Sequence, residues 1–210
     1  MHGENMIIHL FTDDIKQLVV KSGLLLIAIL FVLYSSVCRA SQAEERIIEN
    51  ANKGEAKAQY RLSLMYAAGD GVQQDYAAAL ELTKKSANQG YLEAQVQLGE
   101  IFGLGLYGLS KNYSESFKWY SKAADQGYSL AFACLGGMYE DGKGVQKNYA
   151  KAYSLYSVAI KLGFWPAKDH LSALKKKMTI EQINAGEKLA KSQMEKVEKR
   201  KRNKNGTLAN

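Results

Sequence analysis

An all-α solenoid built from tandem helix-turn-helix units is the fold class this sequence predicts, and three observations carry that expectation. Gly54, Gly90, Gly127 and Gly163 follow one another at intervals of 36, 37 and 36 residues. Leu62, Leu98, Leu135 and Leu171 keep that rhythm, as do Tyr66, Phe102 and Tyr139, with Tyr76, Tyr113 and Tyr149 recurring further along each unit. The 210 residues include one proline against 47% hydrophobic side chains, which favours helices over a loop-rich fold. A fixed period of this length marks stacked supersecondary units. Each is too small to bury its apolar face alone and shares it with its neighbours. Such an architecture offers an extended surface rather than a catalytic cleft.

The first unit shows why helices form. Ala58, Leu62, Met65 and Tyr66 fall at helical spacing on one stripe, with Lys57, Gln59, Arg61 and Ser63 outside it. Gly69-Asp70-Gly71-Val72 follows, and glycines after such a stripe end a helix by taking positive φ cheaply. Asp75 offers a side-chain oxygen to cap a second helix, from Tyr76 to about Ala87, which stops before Gly90. The second unit repeats the order as Ala94, Leu98, Phe102, Gly105, Asn112, Tyr113, Trp119, Ala123 and Gly127. One extra residue in its loop, Gly105-Leu106-Tyr107-Gly108, accounts for the interval of 37. The third unit gives Ala131, Leu135, Tyr139, Gly142, Asn148, Tyr149, Ala159 and Gly163. Alanines such as Ala58, Ala79 and Ala94 suit close helix approach, while the Leu and Tyr positions fill the space between units.

Met65-Tyr66-Ala67-Ala68-Gly69-Asp70-Gly71-Val72 and Met138-Tyr139-Glu140-Asp141-Gly142-Lys143-Gly144-Val145 resemble the Sel1-like repeats, relatives of the tetratricopeptide repeats. Ala123-Ala124-Asp125-Gln126-Gly127 resembles the closing element of that repeat, whereas the middle loop departs from the pattern. The resemblance covers about residues 44–190 and implies a right-handed α-solenoid that scaffolds protein complexes, often in bacterial envelopes. Cysteine-rich members have been linked to β-lactam binding or hydrolysis. This chain has two cysteines and no pair within a repeat, so that activity does not carry over.

The expected organisation has four parts. Residues 1–43 form a leader whose apolar core, 22–38, is uncharged, preceded by Lys16 and Lys21 and followed by Arg39 and by small residues at Ser41 and Ala43. That pattern fits an export signal cleaved after Ala43 or Ala40. It also fits an uncleaved membrane anchor at the short limit for spanning a bilayer. A lipoprotein at Cys38 is the weaker alternative, because Val37 is bulky. All three place the repeats outside the cytoplasm. Residues 44–178 carry the repeats, with units at about 54–90, 91–127 and 128–163 and half units at each end. Thr179-Ile180-Glu181-Gln182 resembles a capping box that opens a terminal helix over 179–198, whose stripe is Ile180, Ile183, Ala190, Met194 and Val197. Residues 199–210 are expected as a disordered basic tail.

Charge sharpens the picture. From Lys168 onward there are 12 Lys and Arg against 5 Asp and Glu, so the whole formal charge of +7 sits there and the first 167 residues balance. A basic tail can dock on an anionic surface, though its more ordinary role is solvation. No aromatic residue is interleaved with the Lys199-Arg200-Lys201-Arg202 run, which argues against single-stranded nucleic acid. Gly69-Asp70-Gly71 and Gly142-Lys143-Gly144 lack a preceding strand and a further nucleotide-loop lysine, so they read as turns, not phosphate cradles. Asn112-Tyr113-Ser114 fits a glycosylation acceptor, but Asn112 aligns with the caps Asp75 and Asn148. Cys134, in a small-residue slot, reads as a structural thiol. His2, His9 and His170 form no metal-spaced cluster, and neither cofactor nor metal is expected.

The predicted function is therefore non-enzymatic: an adaptor holding a partner protein or peptide on the concave face. By the tetratricopeptide analogy the first helix of each unit lines that face. The inward positions are Lys57, Tyr60, Leu64 and Ala67, then Glu93, Val96, Glu100, Ala133 and Glu140. Mixed charge and partial apolarity suit a peptide or partner helix. Two rival classes stand beside it: an envelope hydrolase of the β-lactam-binding type, and a secreted effector or regulator that docks through its basic tail.

Overall fold

Each repeat begins with a helix that stops at a left-handed glycine and resumes from a polar cap. The computed structural model of the protein describes residues 42–206, with side chains to Asn203. The leader and its apolar core at 22–38 lie outside the described residues. Among the described residues every regular element is a helix. Residues 42–52 are helical (α1). Then come α2 (Ala56–Ala68), α3 (Tyr76–Asn88), α4 (Leu92–Leu104), α5 (Tyr113–Asp125), α6 (Ser129–Asp141), α7 (Tyr149–Lys161), α8 (Ala167–Lys175) and α9 (Ile180–Gly206). The pairs α2–α3, α4–α5 and α6–α7 are the three repeats, and among the described residues no helix is long and apolar enough to cross a membrane.

The turn chemistry follows the sequence. Gly69, Gly105 and Gly142 adopt φ of 74°, 71° and 75°, each donating its N–H to the carbonyl four residues back. The Asp75 side chain accepts from the N–H of Ala77 and Ala78, Asn112 from Glu115, and Asn148 from Lys151. A backbone bond from each cap residue back to Tyr66, Phe102 or Tyr139 closes the turn at 2.9, 2.7 and 2.9 Å. Thr179 and Gln182 bond reciprocally, Gln182 N–H to Thr179 Oγ1 and Thr179 N–H to Gln182 Oε1, which is the predicted capping box.

Between repeats the contacts are part apolar and part polar. Ala58, Leu62, Ala94, Leu98, Ala131 and Leu135 are all buried, as the stripe requires. Beside them runs a glutamine ladder. The Gln89 side-chain amide donates to Gly54 O at 2.9 Å and Gln59 Oε1 at 2.8 Å, and Gln126 repeats this one unit later on Gly90 O and Gln95 Oε1. In the third repeat the equivalent positions hold Phe132 and Leu162. There the terminal helix takes over: Phe132, Leu135 and Leu155 line a cleft of about 250 Å³ together with Gln193, Val197 and Arg200 of α9.

Two expectations need correction at this end. The terminal helix does not stop at 198 with a disordered tail behind it; it continues to Gly206. Val197 is buried beside Gly127, and the Arg200 guanidinium bonds Asp125 Oδ1 at 2.8 Å and Asp125 O at 3.1 Å, so the basic run is tied to α5. Ile180, expected in the apolar stripe, is 63% exposed, because the packing against α7 begins further along. Gly186 supplies that contact: a Cβ there would lie 2.6 Å from the Tyr153 ring. Ala190 and Val197 are buried as predicted, with Ile183 and Met194 half-buried.

Candidate functional site

A run of tyrosines forms where the first helices of successive repeats meet the turns before them. Tyr60 projects from α2, while Tyr91 and Tyr128 each directly follow a closing glycine and cap α4 and α6. The Tyr60 and Tyr91 rings lie 5.3 Å apart at 48°. Burial raises the hydroxyl pKa of all three, and Glu93 and Glu100 reinforce the shift at Tyr60 and Tyr128, which places the two carboxylates within electrostatic reach of both rings. Partial desolvation also raises the Glu100 carboxyl, although the residue as a whole is exposed. Among the described residues neither Glu93 nor Glu100 has an ion-pair or hydrogen-bond partner. Arg61 lies near Tyr91 and lowers its shift, and Lys57 is exposed at the edge.

Glu100 also walls a cleft of about 330 Å³ between α4, α5 and α6, opposite Tyr120, Cys134 and Met138. Burial is the main cause that pushes the Cys134 thiol up to about 11. The thiol is therefore protonated at neutral pH and a poor nucleophile. Among the described residues no three His, Cys, Asp or Glu gather as metal ligands. What this arrangement can do chemically is bind, through half-buried aromatic rings beside exposed carboxylates.

The predicted positions divide. Lys57, Leu64, Glu93 and Glu100 are exposed, and Tyr60, Ala67 and Ala133 are half-buried. Val96 is corrected: it is 5% exposed, inside the cluster against which Tyr128 packs, so its side chain is core. Glu140 is also corrected. It is 15% exposed, and its oxygens already accept from Tyr156 Oη at 3.0 Å and Lys177 Nζ at 2.9 Å. Its role is to hold α6 to α7 and to the chain after α8. Tyr91 and Tyr128, which continue the run from Tyr60, were not among the predicted positions. The available signal was the residue after each closing glycine, aromatic at Tyr91, Tyr128 and Phe164.

The fold defines a class, a tandem-repeat helical solenoid. The Sel1 repeat family matches residues 56–91, 92–128 and 135–164. A solved Sel1 repeat protein from Oxalobacter formigenes is 35% identical, superposes with a TM-score of 0.57, and is matched over 96% of its own chain and 61% of this one. This chain belongs to the Sel1 repeat family. Chitin synthase regulatory factor 3 of Schizosaccharomyces pombe is 36% identical over 47% of this chain and 11% of its own length. DAP3-binding cell death enhancer 1 of Rattus norvegicus is 33% identical over 46% and 18%. The chain thus spans under a fifth of the length of these two curated relatives. Proteins built from these repeats are protein-interaction scaffolds and regulators, typically without catalysis of their own.

Proposed function

We propose that this protein is an exported adaptor that holds a partner protein along the face formed by Tyr60, Tyr91, Tyr128, Glu93 and Glu100. One observation carries the reading: three half-buried aromatic rings stand within electrostatic reach of Glu93 and Glu100, exposed carboxylates to which no described residue supplies an ion pair or hydrogen bond. Aromatic rings rimmed by exposed charges have the composition of a protein-recognition surface. The names of two relatives, a regulatory factor and a binding partner of DAP3, agree with a scaffold role in kind. Export is the expectation from the 22–38 segment, and cell fractionation with mass measurement of the mature chain tests it.

Replacing Tyr60 by Ala together with Glu100 by Gln is expected to lower partner recovery in a crosslinking pull-down while the melting temperature holds. Undiminished recovery would remove this face from the reading.

The basic end of α9 favours a second reading, docking on an anionic surface. Arg200 is tied down, whereas Lys196, Lys199 and Arg202 stay exposed along the helix. Neutralising those three with glutamine leaves the packed stripe intact. Unchanged surface association in the triple variant would dismiss it.

A further inference from the structure

We propose that the last turns of α9 occupy a helix-binding site in cis, and that a partner helix with an aliphatic residue followed three positions later by arginine takes their place. The site is a cleft of about 250 Å³ between α5, α6 and α7, walled by Phe132, Leu135 and Leu155 with Asp125 at its rim. The end of α9 lies across it as a ligand would. Val197 is its buried plug, and Arg200, three residues on, bonds Asp125 Oδ1 at 2.8 Å and Asp125 O at 3.1 Å. Position 132 sets the site apart. The first two repeats hold Gln59 and Gln95 there, each bonded by a second glutamine, whereas Phe132 makes an apolar wall. An apolar wall beside one carboxylate suits an amphipathic helix that carries one cation. Of the described residues that line the cleft, Asp125 is the one acid, and the bases Lys196 and Arg200 belong to α9 and leave with it.

The cis occupant is held firmly at one end and loosely at the other. Towards the start of α9, Gly186 sits against the Tyr153 ring, and Tyr153 Oη donates to Glu187 at 3.1 Å. Beyond Val197 the described side chains are exposed. The Arg200–Asp125 pair leaves both side chains more than half exposed, where an ion pair holds weakly. A second cleft, of about 330 Å³, borders Val197 on the side of Gly127 and Lys201. Open volume on both sides of a valine forfeits contact that a larger aliphatic side chain regains. Helix ends fray locally at little cost, so the turns after Met194 can lift while the Gly186 contact stays. This site shares no residue with the Tyr60–Tyr91–Tyr128 face and stands or falls without it.

Fluorescence anisotropy of a labelled peptide copying residues 186–206, titrated with the full chain, tests this. The parent chain should bind it weakly, because its own α9 competes and only the open fraction is available. Arg200→Ala in the chain should tighten binding by about two- to fivefold, the worth of one exposed pair. Val197→Leu in the peptide should tighten it by about fourfold, the worth of one buried methylene. A chain carrying Asp125→Arg should reject the parent peptide and accept one carrying Arg200→Glu. The Val197→Asp peptide keeps every base and should not bind; if it binds like the parent peptide, the attraction is unspecific charge and the inference falls. It falls equally if Arg200→Ala leaves affinity unchanged or the charge swap brings no rescue, and α9 is then a permanent cap. Where a thermal melt shows a chain variant unfolded, the Val197→Leu peptide on the parent chain decides, with equal affinity for both peptides counting against the site.

Discussion

Gly99 and Gly136 each receive the ring of a tyrosine from the following helix. A Cβ on either would lie 2.5 Å from Tyr120 or 2.8 Å from Tyr156. The first repeat fills the same two positions with Ser63 and Thr83, both fully buried. Large on nothing and small on small are two solutions to one packing volume, so substitutions should couple across the pair. Gly136→Ala is expected to cost about 1–3 kcal/mol in denaturant unfolding, the usual range for overpacking. Gly99→Ser alone should cost a similar amount, and adding Tyr120→Thr should return part of it by restoring the first repeat's pair. Glu100 carries a second expectation. Its folded carboxyl binds a proton more tightly than the unfolded chain does, so the associated stability is present at low pH and lost as pH rises through the folded pKa. Glu100→Gln should therefore melt no earlier than the parent at pH 7, with any advantage shrinking near pH 4. At Cys134, a thiol held at about 11 should alkylate on the order of a hundredfold more slowly at pH 7.5 than an ordinary cysteine, until the protein is unfolded.

The loop of the second repeat shows what an inserted residue does to an element. In the third repeat Gly144 packs so tightly on the Tyr113 backbone that a Cβ would lie 2.5 Å from its carbonyl oxygen. The longer loop leaves the matching Gly108 in open space. Instead Tyr107, held at φ 58°, stacks on Tyr76 with ring centroids 5.0 Å apart. The interval of 37 disclosed the insertion, but the stack was not legible, because it joins residues 31 positions apart in two different repeats. The C-terminal helix was half legible for a similar reason. Its start was written in Thr179 and Gln182, a local signal, whereas its continuation past 198 depends on Asp125 and Gly127, which sequence spacing could not bring near. Dense positive charge reads as fraying until a distant carboxylate is supplied. The anchors should differ in weight. Arg200→Ala removes an exposed pair and should cost under about 1 kcal/mol. Val197→Asp buries an unpaired carboxylate and should cost several kcal/mol, both measured by denaturant midpoint.

Among the described residues, buried apolar side chains form a larger and a smaller cluster. The larger joins repeats two and three with Ala190 and Val197 of α9, and the smaller links the first two repeats around Leu98, Ile101 and Trp119. Stability in stacked repeats is close to a sum of nearest-neighbour terms. Hydrogen exchange should therefore open α2 and α3 before α6 and α7, the opposite order from a chain stabilised mainly at its start. The repeat register, the caps and the buried stripe were readable because each depends on neighbours a few residues apart. Of the positions expected on the concave face by the tetratricopeptide analogy, Tyr60, Glu93 and Glu100 reach the surface, but Val96 turned inward and Glu140 was already bonded to Tyr156 and Lys177. Site-specific photo-crosslinking in intact cells tests the central claim most directly, with a benzophenone residue placed at Tyr91 or, as a control, at exposed Lys84 on α3. The account predicts a discrete higher-mass adduct from position 91 and none from position 84. Equal adducts from both positions, or an adduct from position 84 alone, would contradict it.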